Sequence, residues 1–526
     1  MPTQPVLIAG QWRPSTGGKN FQAENPRLEA SLPDDYPIST WQDCDAALQA
    51  ATDAQRELAT LPAESRAKFL ERFAERIEAQ AGALVEMAAL ETALPAKPRL
   101  ADVELPRTTN QLRQAAAAAR DGSWSLATID TKLQIRSVMA PLGPVAVFGP
   151  NNFPFAFNSV AGGDFAAAIA AGNVVIAKAN TSHPGTTRLL AEAAAEAIAD
   201  TGLPKATVQL LYRLDHQDGA RLVADPRLGA TGYTGSRTAG LILKQAADTV
   251  GKPIYLELSS INPVIVLPGA LAERSAKIAE EFAGSCLMGA GQFCTNPGLV
   301  LLLAGPATDA FLNDVAAKFQ AAPVGTLLSS RVAQSLVGSV KRLQAAGAQV
   351  LAGGKKGGGQ GASYSNTLLR ATGEHFLKHA EELQTEAFGN VSLVVVAADV
   401  QQLAKILDRL EGNLTGTIYS ASDAVDEPLY AELEPRLRAK VGRLLNDKMP
   451  TGVAVSSAMN HGGPFPATGH PGFTAVGIPA SLRRFAMLQC YDQVRASRLP
   501  PALQNKNPTG SLWRLIDGTW SQADAS

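Results

Sequence analysis

One cysteine of this 526-residue chain stands where a reactive thiol could be presented. Cys294 lies in GQFCTNPG, between a glycine-rich approach and a Pro-Gly exit. Buried structural cysteines are more common than reactive ones, so this stretch alone leaves a core role open. A nucleophilic thiol needs a base, a donor that stabilises an oxyanion and an acceptor for the electrons of the product. Other residues of the chain must therefore supply these groups.

Glu257 and Asn152 are candidates for the base and the donor. Glu257 lies in PIYLELSSINP, inside an apolar strand pattern where a carboxylate is costly to bury unless it is protonated, paired or used. A glutamate on an edge strand facing water is the alternative. Asn152, in the turn GPNNFP, could donate its amide N–H to an oxyanion, although asparagine is also an ordinary turn former.

Three other stretches could bind a ligand. Lys178 ends the apolar strand in NVVIAKAN and either reaches into a ligand crevice or points to solvent. Gly235 and Ser236, in GYTGSRTAG, would expose backbone N–H groups at a helix start, which suits a pyrophosphate, but the spacing alone favours an ordinary N-cap. TEAFGN, at 385–390, contains a glutamate and an aromatic residue, and nothing local marks it as functional.

Alternating strand and helix patterns over residues 144–258 must position these groups. Short apolar strands alternate with alanine-rich helices, which is typical of right-handed crossovers and a parallel sheet covered on both faces. Ligands of such sheets bind beyond the carboxyl ends of the strands. A second α/β block is expected over 260–455, and alternation at 123–142 predicts a projecting hairpin. The predicted strands are 144–149, 173–179, 208–213, 228–235 and 253–258, and the predicted helices are 157–172, 184–202, 217–224 and 236–248.

The composition argues against several classes of function. The net charge is -1, and no basic cluster of the kind that binds a nucleic-acid backbone is present. The four cysteines form neither a CxxC pair nor a cluster with histidine, which argues against a metal site and a disulfide framework. No secretory signal is recognisable, and the longest apolar runs are too short to span a bilayer. We expect a soluble, cytoplasmic protein that binds neither nucleic acid nor membrane.

Six stretches, in order, resemble motifs of the aldehyde dehydrogenase superfamily: NNFP, VVIAKAN, YTGS, LELSSINP, GQFCTNPG and TEAFG. The resemblance extends from LIAGQWR, at 7–13, to about residue 500. More narrowly, KANTSHPGTT, ELSSINP and PTGVAVSSAMNHGGPFPAT resemble the subfamily that oxidises 2-oxoglutarate semialdehyde (2,5-dioxovalerate) to 2-oxoglutarate. Ser259 and Ser260 stand where the wider superfamily has two glycines, which fits this subfamily.

The resemblance implies an α/β fold with a Rossmann-type parallel-sheet cofactor domain, a second α/β catalytic domain and a small β oligomerisation arm. It also implies a homodimer or homotetramer, with the strand-like stretch at 481–494 contributing to the arm. The expected parts are the NAD(P)-binding domain at 1–122 and 143–258, the catalytic domain at 259–455, a return to the cofactor domain at 456–478, the arm at 123–142 and 479–500, and a C-terminal surface tail at 501–526.

For the chemistry, the resemblance implies that Cys294 attacks the aldehyde carbon as a thiolate. Asn152 and the backbone N–H of Cys294 would hold the oxyanion, and hydride would then pass to the nicotinamide. Glu257 would activate the water that hydrolyses the resulting thioester. Cys286, eight residues before the nucleophile, is expected to be a core residue.

The resemblance also assigns contacts to the cofactor. Lys178 would hold the adenosine ribose and Glu386 the nicotinamide ribose. Many NAD-preferring relatives have a glutamate three positions after the lysine, whereas Thr181 stands here and tolerates a 2′-phosphate that Arg213 could bind. We therefore expect NADP to be preferred over NAD. Further expected contacts are Gly235, Ser236, Gly240 and Phe388 with the cofactor, and Phe153, Phe157, Thr295 and His461 in the substrate pocket.

Three other functions stay open at this stage. A CoA-acylating aldehyde dehydrogenase would use a thiol in place of water, and the presence of Glu257 argues against it. An NADP-dependent aliphatic or fatty aldehyde dehydrogenase would differ only in its substrate. A catalytically silent structural or binding homologue would show no turnover, although the cysteine, glutamate and asparagine are all kept. The carboxylate of the expected substrate requires an arginine or several hydroxyls, and the sequence does not identify them.

Overall fold

The computed structural model describes residues 3–526, and its strands form four sheets. Most strands of the two large sheets are short buried runs, as expected for strands that are covered on both faces. They are β1 (Val6–Ile8), β2 (Gln11–Arg13), β3 (Asn20–Asn25), β4 (Ala30–Ser39), β5 (Thr128–Asp130), β6 (Ile135–Pro141), β7 (Val145–Phe148), β8 (Val175–Lys178), β9 (Val208–Leu211), β10 (Arg213–Leu214), β11 (Ala230–Thr234), β12 (Ile254–Glu257), β13 (Val264–Val266), β14 (Leu299–Leu303), β15 (Gln349–Ala352), β16 (Thr367–Thr372), β17 (Val391–Ala397), β18 (Asn413–Tyr419), β19 (Val441–Asn446), β20 (Ala486–Asp492), β21 (Arg514–Ile516) and β22 (Thr519–Ser521).

The helices connect these strands and cover the faces of the large sheets. A π-helical segment at Ala96–Glu104 leads directly into the fourth helix. No helix within residues 3–526 is long and apolar enough to cross a membrane. The α-helices are α1 (Trp41–Leu58), α2 (Ala63–Ala79), α3 (Ala81–Thr92), α4 (Leu105–Asp121), α5 (Gly163–Ala171), α6 (Pro184–Thr201), α7 (His216–Val223), α8 (Arg237–Thr249), α9 (Pro268–Leu287), α10 (Pro306–Ala321), α11 (Ser330–Ala345), α12 (Gly373–Lys378), α13 (Ala380–Leu383), α14 (Val400–Arg409), α15 (Glu427–Arg438) and α16 (Ala480–Arg483).

The first large sheet has the strand order β12-β11-β7-β8-β9-β1-β2. Its first five strands are parallel and joined by helices, which confirms the predicted Rossmann-type alternation. The expected helix at 157–172 begins only at Gly163, because residues 157–162 form a tight turn. A Cβ atom at Gly162 would lie 2.5 Å from the Cα of Phe157, so only glycine fits this turn.

The second large sheet has the order β15-β16-β17-β14-β13-β18-β19, and all its pairings except β15–β16 are parallel. The two longest apolar runs of the sequence become its central strands β14 and β17. They are buried along almost their whole length, as their composition predicts. The expectation of a second α/β block is confirmed.

A five-stranded sheet of order β20-β6-β5-β21-β22 lies apart from the two large sheets. The predicted hairpin is present as β5 and β6, which pair antiparallel. The strand-like stretch at 481–494 forms a strand only from Ala486, because its first residues belong to helix α16.

Most residues of the expected surface tail at 501–526 are exposed, but the segment also contains regular structure. Strands β21 and β22 lie in this segment, and β21 pairs with β5 of the small sheet. Arg514 is completely buried, and its guanidinium donates hydrogen bonds to the carbonyl oxygens of Gln504, Asn505 and Ala523. The Pro- and Asn-rich composition agrees with the exposure of most of the segment, and these backbone contacts satisfy the buried arginine and hold the segment in place.

Candidate active site

The carboxyl edge of the first sheet collects residues from four neighbouring strands. Phe148 at the end of β7 lies opposite Lys178 of β8 and Tyr233 of β11. Glu257 ends β12 opposite Thr234. This is the edge at which open parallel sheets bind ligands. The turn that contains Asn152 follows β7 directly, so it lies at the same edge.

Loops that precede strands of the second sheet lie against this edge. Cys294 lies in the loop before β14 and Glu386 in the loop before β17, and these two strands are neighbours. The backbone N–H of Ser260, just after β12, donates to Glu386 Oε1 at 3.4 Å. The two sheets thus bring their functional loops into one cleft.

Asn262 holds the cysteine loop in place. Its side-chain amide donates to the carbonyl oxygens of Cys294 at 2.9 Å and Asn296 at 2.8 Å. It is fully buried with a left-handed φ of 49°, a conformation that asparagine tolerates better than most residues. Asn413 Oδ1 in turn accepts the backbone N–H groups of Ile261 and Asn262. The segment after β12 therefore fixes the position of the thiol.

Three reactive side chains meet at the floor of the cleft. Cys294 Sγ lies 3.3 Å from His461 Nε2, and the same nitrogen lies 3.1 Å from Glu257 Oε1. His461 and Glu257 are only 1% and 2% exposed. Glu257 Oε2 is buried and has no hydrogen-bond partner within residues 3–526. The arrangement offers a nucleophile in Cys294 and a ring nitrogen in His461 that can take the proton of the thiol. It also offers a free carboxylate oxygen in Glu257 that can accept a proton from a second donor.

The electrostatics of this cluster keep the thiol protonated at rest. Burial, and after it the negative charge of Glu257, raise the pKa of Cys294 well above the usual range of a thiol. The positive charge of Arg107 partly opposes these effects. The thiol must therefore pass its proton to a neighbour during attack, and His461 Nε2 and the Glu257 carboxylate both lie beside it.

His461 reaches the cluster because its segment folds back onto the first sheet. Glu257 pairs with Thr468 as an extra antiparallel bridge beside β12. The N–H of Leu258 donates to the carbonyl of Ala467 at 2.8 Å. The backbone N–H of His461 donates to the Thr474 hydroxyl at 2.9 Å. The sequence analysis assigned His461 to the substrate pocket, and the structure places it between the thiol and the carboxylate.

These three side chains could also ligate a metal ion, since one sulfur, one nitrogen and one oxygen ligand atom lie within 4.8 Å of one another. They are the only such group of three found within residues 3–526. The absence of a resident metal stays a prediction.

Asn152 lies beside the cysteine loop. It is buried, and its Nδ2 donates to the carbonyl of Gln292 at 3.0 Å, which leaves its second amide hydrogen free. The backbone N–H of Cys294 has no acceptor within residues 3–526. Two free N–H groups near the sulfur could stabilise an oxyanion formed there.

Aromatic side chains line the approach to the cluster. The Phe153 ring packs edge-to-face against Phe157, at 5.2 Å between centroids, and against Phe293, at 5.5 Å. The Phe157 ring lies 5.7 Å from that of His461. Thr295 is buried, and its hydroxyl accepts the N–H of Gly452 at 3.1 Å, so this hydroxyl is engaged with the 450–452 loop.

The turn that contains Asn152 rests on a buried ion pair that sequence reasoning missed. Glu104 accepts the N–H groups of Phe155 and Ala156 and pairs with Arg99. Arg99 also donates to the carbonyl of Asn152 at 3.1 Å. About fifty residues separate this pair from the turn in the sequence, and no local pattern connects them. Their role follows from the packing of the segment before α4.

Two cations lie together on the cofactor side of the first sheet. Burial, and after it the positive charge of Arg213, lower the pKa of Lys178 to about 8. Arg213 follows β9, the neighbour of β8, and neither residue forms an ion pair within residues 3–526. Thr181 is half-buried three residues after the lysine. The chemistry of this set fits an anionic phosphate better than a neutral hydroxyl.

Ser236 is the N-cap of α8, as the local sequence favoured. Its hydroxyl accepts the backbone N–H of Ala239 at 3.4 Å, and the N–H of Gly235 donates to the carbonyl of Glu257. Gly240 allows α8 to pack closely, since a Cβ atom there would lie 2.5 Å from Leu258 Cδ2. The helix N-terminus faces the edge that bears Lys178 and Glu257, where its dipole favours an anion.

Glu386 and Phe388 lie on the opposite side of the cleft. Burial raises the pKa of Glu386 to about 7, against the stabilising hydrogen bonds from Ser259 and Ser260. Both residues line one cavity together with Ser260, Ile261 and Phe293. A half-buried carboxylate in such a cavity could accept the hydroxyls of a ribose, and this chemistry fits the expected cofactor.

Comparisons with known proteins identify the family of the chain. A model described as the aldehyde dehydrogenase family matches residues 12–434. The chain is 40% identical over 495 residues to alpha-ketoglutaric semialdehyde dehydrogenase 2 of Azospirillum brasilense, covering 92% of this chain and 93% of that protein. It is 37% identical over 524 residues to alpha-ketoglutaric semialdehyde dehydrogenase of Acinetobacter baylyi, covering 96% and 98%.

A solved structure shows the same fold. PnpE, in complex with nicotinamide adenine dinucleotide, superposes with a TM-score of 0.80 at 21% identity and covers 94% of this chain and 99% of its own. With most of its length matched by the family model and with relatives that share well over 30% identity, the chain belongs to the aldehyde dehydrogenase family.

Proposed function

We propose that this aldehyde dehydrogenase oxidises 2-oxoglutarate semialdehyde to 2-oxoglutarate with NADP as its cofactor. The observation that carries the proposal is the meeting of Cys294, His461 and Glu257 in the cleft between the two large sheets. The two relatives with 40% and 37% identity support the choice of substrate, because both are named for alpha-ketoglutaric semialdehyde, which is the same compound.

In the first half of the reaction, Cys294 Sγ bonds to the aldehyde carbon while its proton moves to His461 Nε2. The imidazolium N–H then lies between the sulfur and the Glu257 carboxylate, which stabilises the charge. Asn152 Nδ2 and the backbone N–H of Cys294 hold the oxyanion of the thiohemiacetal. Loss of one such donor typically lowers the rate by about 10²–10³-fold. A bound nicotinamide cofactor supplies the acceptor for the hydride.

In the second half, water attacks the thioester on Cys294. Glu257 Oε2 takes a proton from this water, because it is the carboxylate oxygen that His461 leaves free. The carbon–sulfur bond then breaks, the carboxylic acid leaves, and the sulfur regains a proton.

Lys178, Thr181 and Arg213 are the residues that would hold the 2′-phosphate of NADP. Glu386 would accept the hydroxyls of the nicotinamide ribose beside Phe388. The support for NADP is that Lys178 and Arg213 repel each other and form no ion pair with an acidic residue within residues 3–526. A phosphate dianion would relieve this repulsion, whereas NAD offers only a neutral hydroxyl there.

The affinity for NADP should fall as the pH rises through about 8. In the free enzyme the pKa of Lys178 is lowered to about 8, and a bound phosphate raises it again. Binding therefore favours the protonated lysine, so the affinity is complete below pH 8 and is lost above it, by up to about tenfold per pH unit. The measurement is the Kd for NADP and for NAD from pH 6.5 to 9.5.

Lys178→Met is the matched variant for this titration. We expect it to weaken NADP binding by about 10- to 100-fold, the size of one or two charge-assisted hydrogen bonds, and to flatten the pH profile. Binding of NAD should change much less. Identical pH profiles for the two cofactors in the wild type would contradict the assignment of Lys178 to the phosphate.

Steady-state kinetics test the proposed function. The substrates are 2-oxoglutarate semialdehyde, succinic semialdehyde and hexanal, each with NAD and with NADP. We expect the highest kcat/KM for 2-oxoglutarate semialdehyde with NADP. A higher value for hexanal would indicate an aliphatic aldehyde dehydrogenase, turnover that requires CoA would indicate an acylating enzyme, and no reduced cofactor with any aldehyde would indicate a silent homologue.

We also infer a homodimer or homotetramer built on the five-stranded sheet. Among residues 3–526, strand β20 pairs only with β6, so its other edge is open there, and its Leu488 is 61% exposed. Trp520 on β22 and Trp513, which directly precedes β21, expose further apolar surface at the same sheet. Light scattering should therefore give a dimer or tetramer mass, and Leu488→Lys should lower it. A monomeric wild type would contradict this inference.

The proposed location is the cytoplasm. The four cysteines are free, and Cys294 must stay reduced to react. Cell fractionation tests this, and recovery in an oxidising compartment would contradict it.

A further inference from the structure

Arg107, in the first turn of α4, is a partly buried cation without a counterion. It forms no ion pair within residues 3–526, and its Nη2 is buried without any hydrogen-bond partner. Burial lowers the pKa of its guanidinium, an effect opposed by the negative charge of Glu104. An arginine stays protonated under these conditions, so the fold holds an unpaired positive charge there. Such a charge is costly to bury unless something else neutralises it.

The nearby Arg99 has a structural role, with which Arg107 can be compared. Arg99 pairs with Glu104 and donates to the carbonyl of Asn152. Glu104 also accepts two backbone N–H groups, so its carboxylate is already shared. Within residues 3–526 the guanidinium of Arg107 makes a single hydrogen bond, from its Nε to the amide oxygen Oε1 of Gln111 at 3.1 Å. The guanidinium edge of Arg107 is therefore the one left free.

Gln111 orients this free edge relative to the catalytic turn. Its side-chain N–H donates to the carbonyl of Ala156 at 3.1 Å, while its Oε1 accepts from Arg107. Gln111 is itself buried, so its contact with Arg107 lies inside the protein and not at the solvent-exposed surface. The guanidinium is thereby tied to the turn that contains Asn152.

Arg107 lies beside the aromatic side chains that line the approach to Cys294. Its guanidinium carbon lies 5.3 Å from the centre of the Phe157 ring and 5.8 Å from that of Phe153. Phe157 is the ring that contacts His461. Negative charge on Cys294 or on Glu257 raises the pKa of the Arg107 guanidinium, so the arginine lies within electrostatic range of both groups. An aldehyde carbon bonded to Cys294 would therefore have its chain directed along these rings toward the arginine.

We propose that Arg107 binds the terminal carboxylate of the aldehyde substrate and so selects oxo acids over neutral aldehydes, an inference that rests on the proposed function. A carboxylate accepts two parallel N–H bonds from a guanidinium, which satisfies the orphaned Nη2 and neutralises the buried charge. The phenylalanines contact the carbon chain between the two ends. The carboxylate-binding residue that the sequence could not name is thereby assigned.

A different role for Arg107 would be to stabilise the thiolate of Cys294, since its charge lowers the pKa of that thiol. Loss of this effect would slow the oxidation of every aldehyde by the same factor. Loss of a carboxylate contact would slow only the acidic substrates. The ratio of kcat/KM for an acidic aldehyde to that for a neutral one of equal chain length separates the two roles.

The experiment compares wild type, Arg107→Met and Arg107→Lys with glutaric semialdehyde and pentanal, at saturating NADP. Arg113→Met is the matched control, because Arg113 lies on the same helix and pairs with Glu78 at the surface. We expect Arg107→Met to lower the acid-to-pentanal ratio by about 10- to 100-fold, mainly through a higher KM for the acid. Arg107→Lys should keep part of the preference, and the control should keep all of it.

An unchanged ratio in Arg107→Met would overturn the assignment, whether the two rates stay the same or fall together. If the wild type oxidises the acidic aldehyde in preference to pentanal and Arg107→Met does the same, the proposed function stands and only the role of Arg107 is refuted. A wild type that prefers pentanal would refute both. Because the ratio is taken within one protein preparation, partial unfolding of a variant cancels from it.

Discussion

Replacing Cys294 by alanine should abolish aldehyde oxidation while leaving the protein folded and able to bind NADP. Removal of a nucleophile lowers turnover by about 10⁵-fold or more, because the remaining groups cannot form the covalent intermediate. The side chain is small and sits in a loop held by Asn262 through backbone carbonyls, so its truncation leaves the supporting contacts in place. The measurements are kcat/KM with the preferred aldehyde, the Kd for NADP and the melting temperature.

Cys490→Ala is the matched control, because Cys490 is an exposed free thiol on β20. It should keep full activity. Cys44 and Cys286 are buried, and burial raises the pKa of each to about 12, so neither can replace the missing nucleophile. Activity of Cys294→Ala above about one hundredth of the wild-type value would refute the mechanism.

Glu257→Gln should stop the reaction after its first half. The amide keeps the shape of the side chain but cannot accept a proton from water, so kcat should fall by about 10²–10⁴-fold. The thioester then accumulates on Cys294. Rapid mixing should show a burst of reduced cofactor near one equivalent per site, and intact mass spectrometry should detect the acyl adduct.

The same variant should make Cys294 easier to ionise. The negative charge of Glu257 raises the pKa of that thiol, so its removal lowers the pKa, and alkylation by iodoacetamide should reach its full rate at a lower pH than in the wild type. His461→Asn is the matched variant, and it should slow the burst because the proton acceptor of the thiol is gone. If Glu257→Gln shows neither burst nor adduct, Glu257 acts before the thioester forms.

The elements of the first sheet were predictable because their signals are local. Five apolar runs separated by helical patterns became β7, β8, β9, β11 and β12, and each boundary lay within a few residues of its prediction. Ser236 was recognised as an N-cap for the same reason, since a cap depends on the hydrogen bonds of one turn.

Contacts between segments far apart in the chain could not be predicted from local sequence. Residues 501–526 look like a surface tail, yet β21 joins β5 about 390 positions earlier in the chain. The buried Arg514 that anchors this segment has no local signal, because its acceptors are carbonyl groups of neighbouring loops. Composition alone measures polarity and carries no information about which backbone groups a polar side chain will satisfy.

By itself the sequence determined the fold class, the order of the strands and helices, and the identity of Cys294, Glu257 and Asn152 as candidates, because periodicity and short motifs are set by neighbouring residues. Only the tertiary structure decided that His461 stands between the thiol and the carboxylate, and that Arg107 has neither an ion pair nor a hydrogen-bond partner for its buried Nη2 within residues 3–526. The physical reason is that proximity and unsatisfied charge are produced when segments far apart in the chain pack together, and no local stretch contains both members of such a contact.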